Sequence, residues 1–402
     1  MELCLLYERY LRDKQLKISR RDILLAIDSL PHLNKRALFE HILNVRLKQI
    51  TARSPNTEFL NIAGKLNSSI YKETICHTSA ELTSIEFQLE QFALHFFDGI
   101  TDLWCEYEIH CLINKYPLPS FEYSPTAVSL SYDESHYQSK LIQNVETETQ
   151  LYYTLYSVAP LVLADAILLC NLCTFIKEHK WYEMLYSLEL STQGTHFLLM
   201  TASHQSQIPI LVSTARIQYW HQRSDWLYFS PFFQSNIWQP YLQPEFEQIL
   251  RQNLQLEQNG RLDCSSIAAL DSSLSELILN KSRICEILRL TTSGNTIQCA
   301  FIIYLAQKHI MSLLHAQQFS LGFVVIEQPL MMYYYASLTN GEYLYTAASN
   351  LQDTGNSTFK GLWLIEKLNQ QLRTTSYKEY KQRVFTQKKY NRHQAIGERT
   401  RG

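Results

Sequence analysis

The segment from Arg283 to Leu338 constrains the fold of this chain more than any other. Ile284–Leu290 is short, rich in Ile and Leu, and bounded by a Thr/Ser/Gly/Asn cluster, so it reads as a strand ending in a loop. Ile297–Gln318 is too long for a strand and apolar nearly all round in its first half, the pattern of a buried helix. Phe319–Glu327 is a second apolar run and a second buried strand. Strand, crossover helix and parallel strand together build an α/β sheet.

Two charges interrupt the first strand. Glu286 and Arg289 lie among Ile, Cys and Leu, where an ionised side chain is costly unless it is paired or used. Their odd spacing puts them on opposite faces of a regular strand. A β-bulge between them would bring both to one side, and bulges are frequent beside active sites. An ordinary Glu and Arg on a solvent-facing strand is the competing reading, and these residues alone leave both open.

At 402 residues the chain can hold two domains. Apolar content of 46% with 18% charged residues excludes a disordered chain, and a net charge of -2 gives no reason to expect nucleic acid as a partner. Nine cysteines without a framework spacing fit a reducing compartment, and Glu2, Glu8 and Arg9 in the opening stretch do not fit a secretory signal, so a cytoplasmic location is expected. Val158–Ile176 approaches the length of a membrane span, but Pro160, Asp165 and Asn171 make it a core helix, and no membrane span is expected.

Helical period dominates from residue 1 to 176. Ser19 with Asp22, Asn34, and Thr83 with Glu86 each mark a helix start. Leu38, Ile42 and Val45 share one face of the second of these helices, with Arg36, Arg46 and Lys48 largely elsewhere. Pro117, Pro119 and Pro125 mark a break before a further helix near Glu146. From about Lys180 the pattern turns to strands, with a hairpin formed by 196–201 and 208–220. A helix from Pro244 to Gly260 follows, then a short helix capped by Ser273 and Glu276. Pro329 closes the last core strand, and 330–338 is expected to be helical. The expected division is a mainly helical domain over 1–176, a mixed-sheet domain over 177–350, and a C-terminal helix with a basic tail over 351–402.

Nucleotide-loop, HExxH and Gly-x-Ser-x-Gly motifs are all absent. Cys170 and Cys173 have a Cys-x-x-Cys spacing but stand alone on an apolar helix, so neither a metal nor a redox cofactor is expected. The loop Thr291, Thr292, Ser293, Gly294 leads from the strand into the long helix, where backbone N–H groups can face an anionic or carbonyl oxygen, or simply cap the helix.

The order of elements from about 180 to 345 resembles the N-acetyltransferase-like fold in the variant used by acyl-homoserine-lactone synthases. Ala215-Arg216 lies in the second strand of the hairpin, and Glu286-Ile287-Leu288-Arg289-Leu290 stands where that family carries Glu-x-Ser-Arg-Phe. Leu288 and Leu290 depart from that motif, and with the long N-terminal half they make the chain similar to the LuxM/AinS/VanM type of synthase. The resemblance implies an α/β N-acetyltransferase-like core with flanking helices. It also implies a reaction in which the amine of S-adenosylmethionine, a substrate and not a cofactor, is acylated from an acyl carrier protein or acyl-coenzyme A. Lactone closure then expels methylthioadenosine, giving a quorum-sensing autoinducer. Glu286 would accept the amine proton, Arg289 or Arg216 would hold the substrate carboxylate, and Phe301, Phe323 and Val325 would line the acyl slot. The alternatives are an N-acyltransferase of the same fold acting on another amine, and a non-catalytic interaction protein.

Overall fold

The computed structural model describes residues 3–12, 17–31, 33–55, 57, 60–75, 81–116, 130–202, 207–326, 331, 334–335, 343–351 and 356–386. The chain divides into two compact units, one formed by 1–125 with 156–192 and the other by 126–155 with 193–402.

The first unit is helical: α1 (Leu3–Arg12), α2 (Arg20–Asp28), α3 (Lys35–Arg53), α4 (Ile62–Leu66), α5 (Ser69–Ile75), α6 (Ser84–Phe96), α7 (Ile100–Asn114) and α8 (Leu163–Asn171). The expected helix starts at Ser19 and Thr83 are capping boxes with Asp22 and Glu86, and Asn34 caps α3. α8 runs into a π-helical turn at Leu172–Glu178 and is buried for most of its length, as its apolar run predicts. Arg46 corrects the expected amphipathic pattern of α3. It is buried inside the unit, where Nε donates to Glu90 Oε1 at 2.6 Å and Nη1 to Gln49 Oε1 and Thr74 O. Period places a side chain on a helix face, but a partner such as Glu90 decides whether a charge can be buried there.

The second unit is built on a mixed sheet. Its strands are β1 (Tyr137–Ile142), β2 (Leu151–Thr154), β4 (Thr195–Thr201), β5 (Ile210–Tyr219), β6 (Gln239–Pro240), β7 (Ile284–Leu288), β8 (Leu321–Ile326), β9 (Tyr343–Leu351) and β10 (Asn356–Leu364); the two-residue β3 (Leu161–Val162) belongs to the first unit. The order is β1-β4-β5-β7-β8-β10-β9-β6, with β2 parallel to β5. β7 and β8 pair in parallel, joined by the long α11 (Thr296–Ala316), as the sequence pattern requires. The remaining helices are α9 (Phe246–Asn253), α10 (Ile267–Leu277) and α12 (Ile365–Thr374), with a further helical stretch at 377–386.

Several boundaries differ from expectation. Residues 137–142 and 151–154 join the sheet, the first pairing antiparallel with β4, so only a single 3-10 turn (Val145–Thr147) stands at Glu146 in place of the expected helix, and the second unit does not begin at 177. Residues 356–364 are also sheet, pairing with both β8 and β9, and are not a tail. α9 stops at Asn253, short of Gly260. α10 starts earlier than expected, with Ser266 Oγ accepting from Ala269 N at 3.1 Å, and Ser273 lies inside it. Most of 330–338 and the basic residues beyond 386 lie outside the described residues.

The two faces of the sheet carry different material. α11 covers one face, where Phe301 packs edge-on against Tyr137 of β1 and His309 Nδ1 meets Ser139 Oγ at 2.8 Å. α11 is also the single described helix long and apolar enough to cross a membrane, and more than half of that apolar window is buried. The segment 220–238 with α9 and α10 covers the other face, through Trp226, Tyr228, Phe246, Leu250, Leu274, Phe323 and Leu362. A register shift at Lys360/Gly361 brings β9 so close that a Cβ on Gly361 would stand 2.3 Å from Leu344 O. Gly361→Ala is therefore expected to cost on the order of 2 kcal/mol by overpacking, read as a lower denaturant midpoint at unchanged slope.

Candidate active site

β5 and β7 together set one polar row. Arg216 pairs with Leu288 and Gln218 with Glu286, and residues directly opposite on paired strands share a face. Glu286 is also opposite Phe323, which puts the row on the face covered by 220–238.

Glu286 is fully buried, and its carboxylate is held by main chain. Tyr228 N donates to Oε1 at 2.6 Å and Leu227 N to Oε2 at 3.1 Å. With its amide oriented to satisfy both neighbours, Gln218 donates to Glu286 Oε2 at 2.7 Å and accepts from Arg216 Nη2 at 3.3 Å. Burial pushes the Glu286 carboxyl up to about 8, against the two amides and the charges of Arg216 and Arg289. Arg216 is itself buried and its guanidinium pKa is lowered by desolvation, with Glu286 and Asp225 opposing. Its Nε has no hydrogen-bond partner among the described residues, and the space beside it is bounded by Gly194, whose added Cβ would stand 3.8 Å away.

Past Leu288 the pairing slips. Leu288 pairs with Arg216, but Thr291 N donates to Thr214 O at 2.8 Å, so Arg289 and Leu290 together oppose Ala215. Two residues against one is a β-bulge, and Arg289 takes a left-handed φ of 55° within it. A non-glycine residue held there is strained and needs surrounding structure to keep it. The Arg289 charge acts on Glu286 in the same sense as that of Arg216, so both guanidiniums bear on one carboxyl.

The loop after the bulge is tied down more than expected. Thr291 N and Ser293 N are spent on Thr214 O and Val212 O, and both residues are fully buried. These amides therefore extend the ladder and do not face a ligand. Asn295 caps α11 in a capping box with Gln298, next to Gly294 at φ 120° and Thr292. The expected acyl slot also separates, because Phe301 packs with Tyr132, Tyr304 and Tyr377 under α11 while Phe323 and Val325 lie on the Glu286 face.

Sequence reasoning missed four residues of this face. Gln218 lies two places after Arg216 on the same strand, and Tyr228 supplies an amide to Glu286. Lys360 and Asp271 form an ion pair at 2.6 Å with neither side chain exposed. A charge inside an apolar run singled out Glu286, and the same signal is present at Lys360 before Gly-Leu-Trp-Leu-Ile and at Asp271 after Ile-Ala-Ala-Leu. Among the described residues no group of three or more His, Cys, Asp or Glu converges as a metal site.

A buried carboxyl on which two guanidinium charges act, on a mixed sheet with a bulged strand, is a group that can take up and release a proton near neutral pH. The profile of acyl homoserine lactone synthases matches residues 13–393, and the chain belongs to that family. It is 33% identical over 354 residues to the acyl-homoserine-lactone synthases LuxM of Vibrio campbellii and Vibrio harveyi, covering 88% of each chain. It is 31% identical to OpaM of Vibrio parahaemolyticus over 352 residues, 87% of this chain and 88% of the relative. No solved structure matches it. The chain is thus an acyltransferase that makes a quorum-sensing autoinducer, and the non-catalytic alternative is set aside.

The raised carboxyl has a signed consequence for stability. Glu286 binds its proton more tightly folded than unfolded, so its contribution is complete below about 4.5 and is lost as pH rises to about 8. Across that window the wild type should lose about 1.4 kcal/mol per pH unit relative to Glu286→Gln. Denaturant titrations of both proteins at pH 5 and pH 8 check this, and parallel trends would refute it.

Proposed function

We propose that the substrates are S-adenosylmethionine and an acyl thioester, and that Glu286 is the group that takes the amine proton. The observation that carries this reading is the fully buried Glu286 carboxyl raised to about 8. A free α-amine has a pKa of about 7.7–8, so acceptor and donor are matched and transfer costs little. The neutral amine can then attack the thioester carbonyl, and as the C–S bond breaks the second proton lost by the nitrogen leaves on the thiolate as a free thiol, while Glu286 returns the first proton to solvent.

The guanidiniums take the second half of the reaction. Arg216 has a buried Nε without a partner among the described residues, which suits it to hold the methionine carboxylate. Arg289, strained in the bulge, is the second candidate for that role. Held in place, the carboxylate oxygen attacks the carbon next to sulfur, the C–S bond breaks, and methylthioadenosine departs as the lactone closes. Val325 and Phe323 are the remaining candidates for the acyl wall, and no resident cofactor is required. The whole core reads as an N-acetyltransferase-like sheet with the site on the face opposite α11.

Acyl carrier protein is the preferred donor, with acyl-coenzyme A the other possibility. Carrier proteins are acidic, and Lys388, Lys389, Arg392, Arg399 and Arg401 offer complementary charge. Removing residues after 386 should weaken only the carrier-dependent reaction and flatten its salt dependence, while keeping the helix at 377–386, whose Tyr380 is buried. A cytoplasmic location fits the cysteines, none of which is joined in a disulfide among the described residues.

Mass spectrometry of acyl-homoserine lactone and methylthioadenosine from the purified protein, S-adenosylmethionine and a panel of thioesters tests the substrates. Both products are expected in equal amounts, and methylthioadenosine no higher than without enzyme for every donor would sink the reading. Glu286→Gln should lower kcat by about 100-fold or more, and the wild-type rate should rise with pH to a midpoint near 8.

A further inference from the structure

Glu286 owes its place to the amides of Leu227 and Tyr228, and that segment is fixed from the other side by a second buried cluster. We infer that Lys360 and Asp271 are positioning residues for Glu286, fixing the 227–233 segment whose amides hold its carboxylate. This rests on the reading of Glu286 as proton acceptor.

All three donors of the Lys360 ammonium are used. One goes to Asp271 Oδ2 at 2.6 Å, and the other two go to Tyr228 O at 3.3 Å and Phe233 O at 3.2 Å. Two of the three bonds therefore end on main-chain carbonyls of the segment in question. The ammonium also lies 4.1 Å over the Tyr228 ring, a favourable cation–π contact when desolvated.

The far end of Tyr228 is held as well. Its hydroxyl bonds to Thr346 Oγ1 at 2.5 Å, and Thr346 Oγ1 donates to Lys360 O at 3.1 Å. The register shift leaves Thr346 without a partner residue on β10, since Lys360 is opposite Ala347 and Gly361 is opposite Tyr345, while its carbonyl accepts from Tyr241 N on the other side. The bulge of β9 and the ammonium of β10 thus clamp one residue, whose amide then meets Glu286.

Packing alone does not require charges here. A buried ion pair is often no more stabilising than apolar side chains of the same volume. Apolar side chains could fill the space but could not bond the Tyr228 and Phe233 carbonyls. Around Glu286 the charged and titratable groups are Arg216 from β5, Cys285 from β7, Arg289 from the bulge after β7, Lys360 from β10 with Asp271 from α10, Tyr228 from the covering segment, and Asp225 near Arg216. Replacing Lys360 and Asp271 together leaves the net charge of this set unchanged. Any effect on Glu286 must then come chiefly through the segment.

The test is Lys360→Met/Asp271→Leu in the full chain, with Asp271→Asn as a milder variant that keeps an acceptor for Lys360. Amide exchange of the peptide spanning 225–233 is measured beside the pH-rate profile, kcat and KM. Exchange there should quicken by about ten-fold or more while the rest of the protein is unchanged. kcat should fall by about ten-fold with KM little altered, and the rate midpoint should move to higher pH, since the two amides hold the carboxyl down. Asp271→Asn should move each readout the same way by less. Unchanged exchange at 225–233 and an unmoved midpoint in both variants would overturn the proposal, even if melting temperature falls. Full activity of Glu286→Gln in the same assay would instead remove the proton-acceptor reading, so the two failures are told apart.

Discussion

The hydrogen bonds from the Leu227 and Tyr228 amides to Glu286 are the interaction on which the site depends. A carboxylate with no exposed surface is costly to ionise, and without donors it would stay protonated well beyond any useful pH. Two amides and two guanidiniums bring it back to about 8, which is usable for proton transfer from an amine. The covering segment thus sets the charge state of Glu286 as well as closing the core, and on the proposed reading it takes part in the chemistry.

That arrangement explains why the sheet is irregular where it is. The bulge at Arg289 brings a second cation to bear on Glu286 without lengthening the polar row. The bulge opposite Lys360 turns Thr346 toward Tyr228, and Gly361 permits the close strand approach that goes with it. The first irregularity lies at the end of β7, where it faces β5, and the second on β9, where it faces β10. α11 occupies the opposite face and contributes packing, with Phe301 inside an aromatic cluster.

The helical unit has a polar core of its own. Arg46 and Glu90 are both buried, and the guanidinium reaches the Thr74 carbonyl as well. Such a pair adds little net stability over apolar packing, but removing one partner leaves a buried charge and is strongly destabilising. It fixes α3 against α6 with one geometry, which an apolar contact would not.

What the sequence determined by itself is what local pattern controls. The β7–α11–β8 unit, the hairpin of β4 and β5, the helix starts at Ser19, Asn34 and Thr83, and the anomaly of charges in an apolar strand were all legible, because periodicity and capping act within a few residues. The membership of 137–142, 151–154 and 356–364 in the sheet was not, since those runs are too short to declare their partners. Nor was the site's composition. Glu286 was marked by its surroundings, but Gln218, Tyr228, Asp271 and Lys360 reach it or its support only through strand register and a covering segment. Register and burial are set by contacts between residues far apart in the chain, and only the tertiary structure decides which buried charges meet.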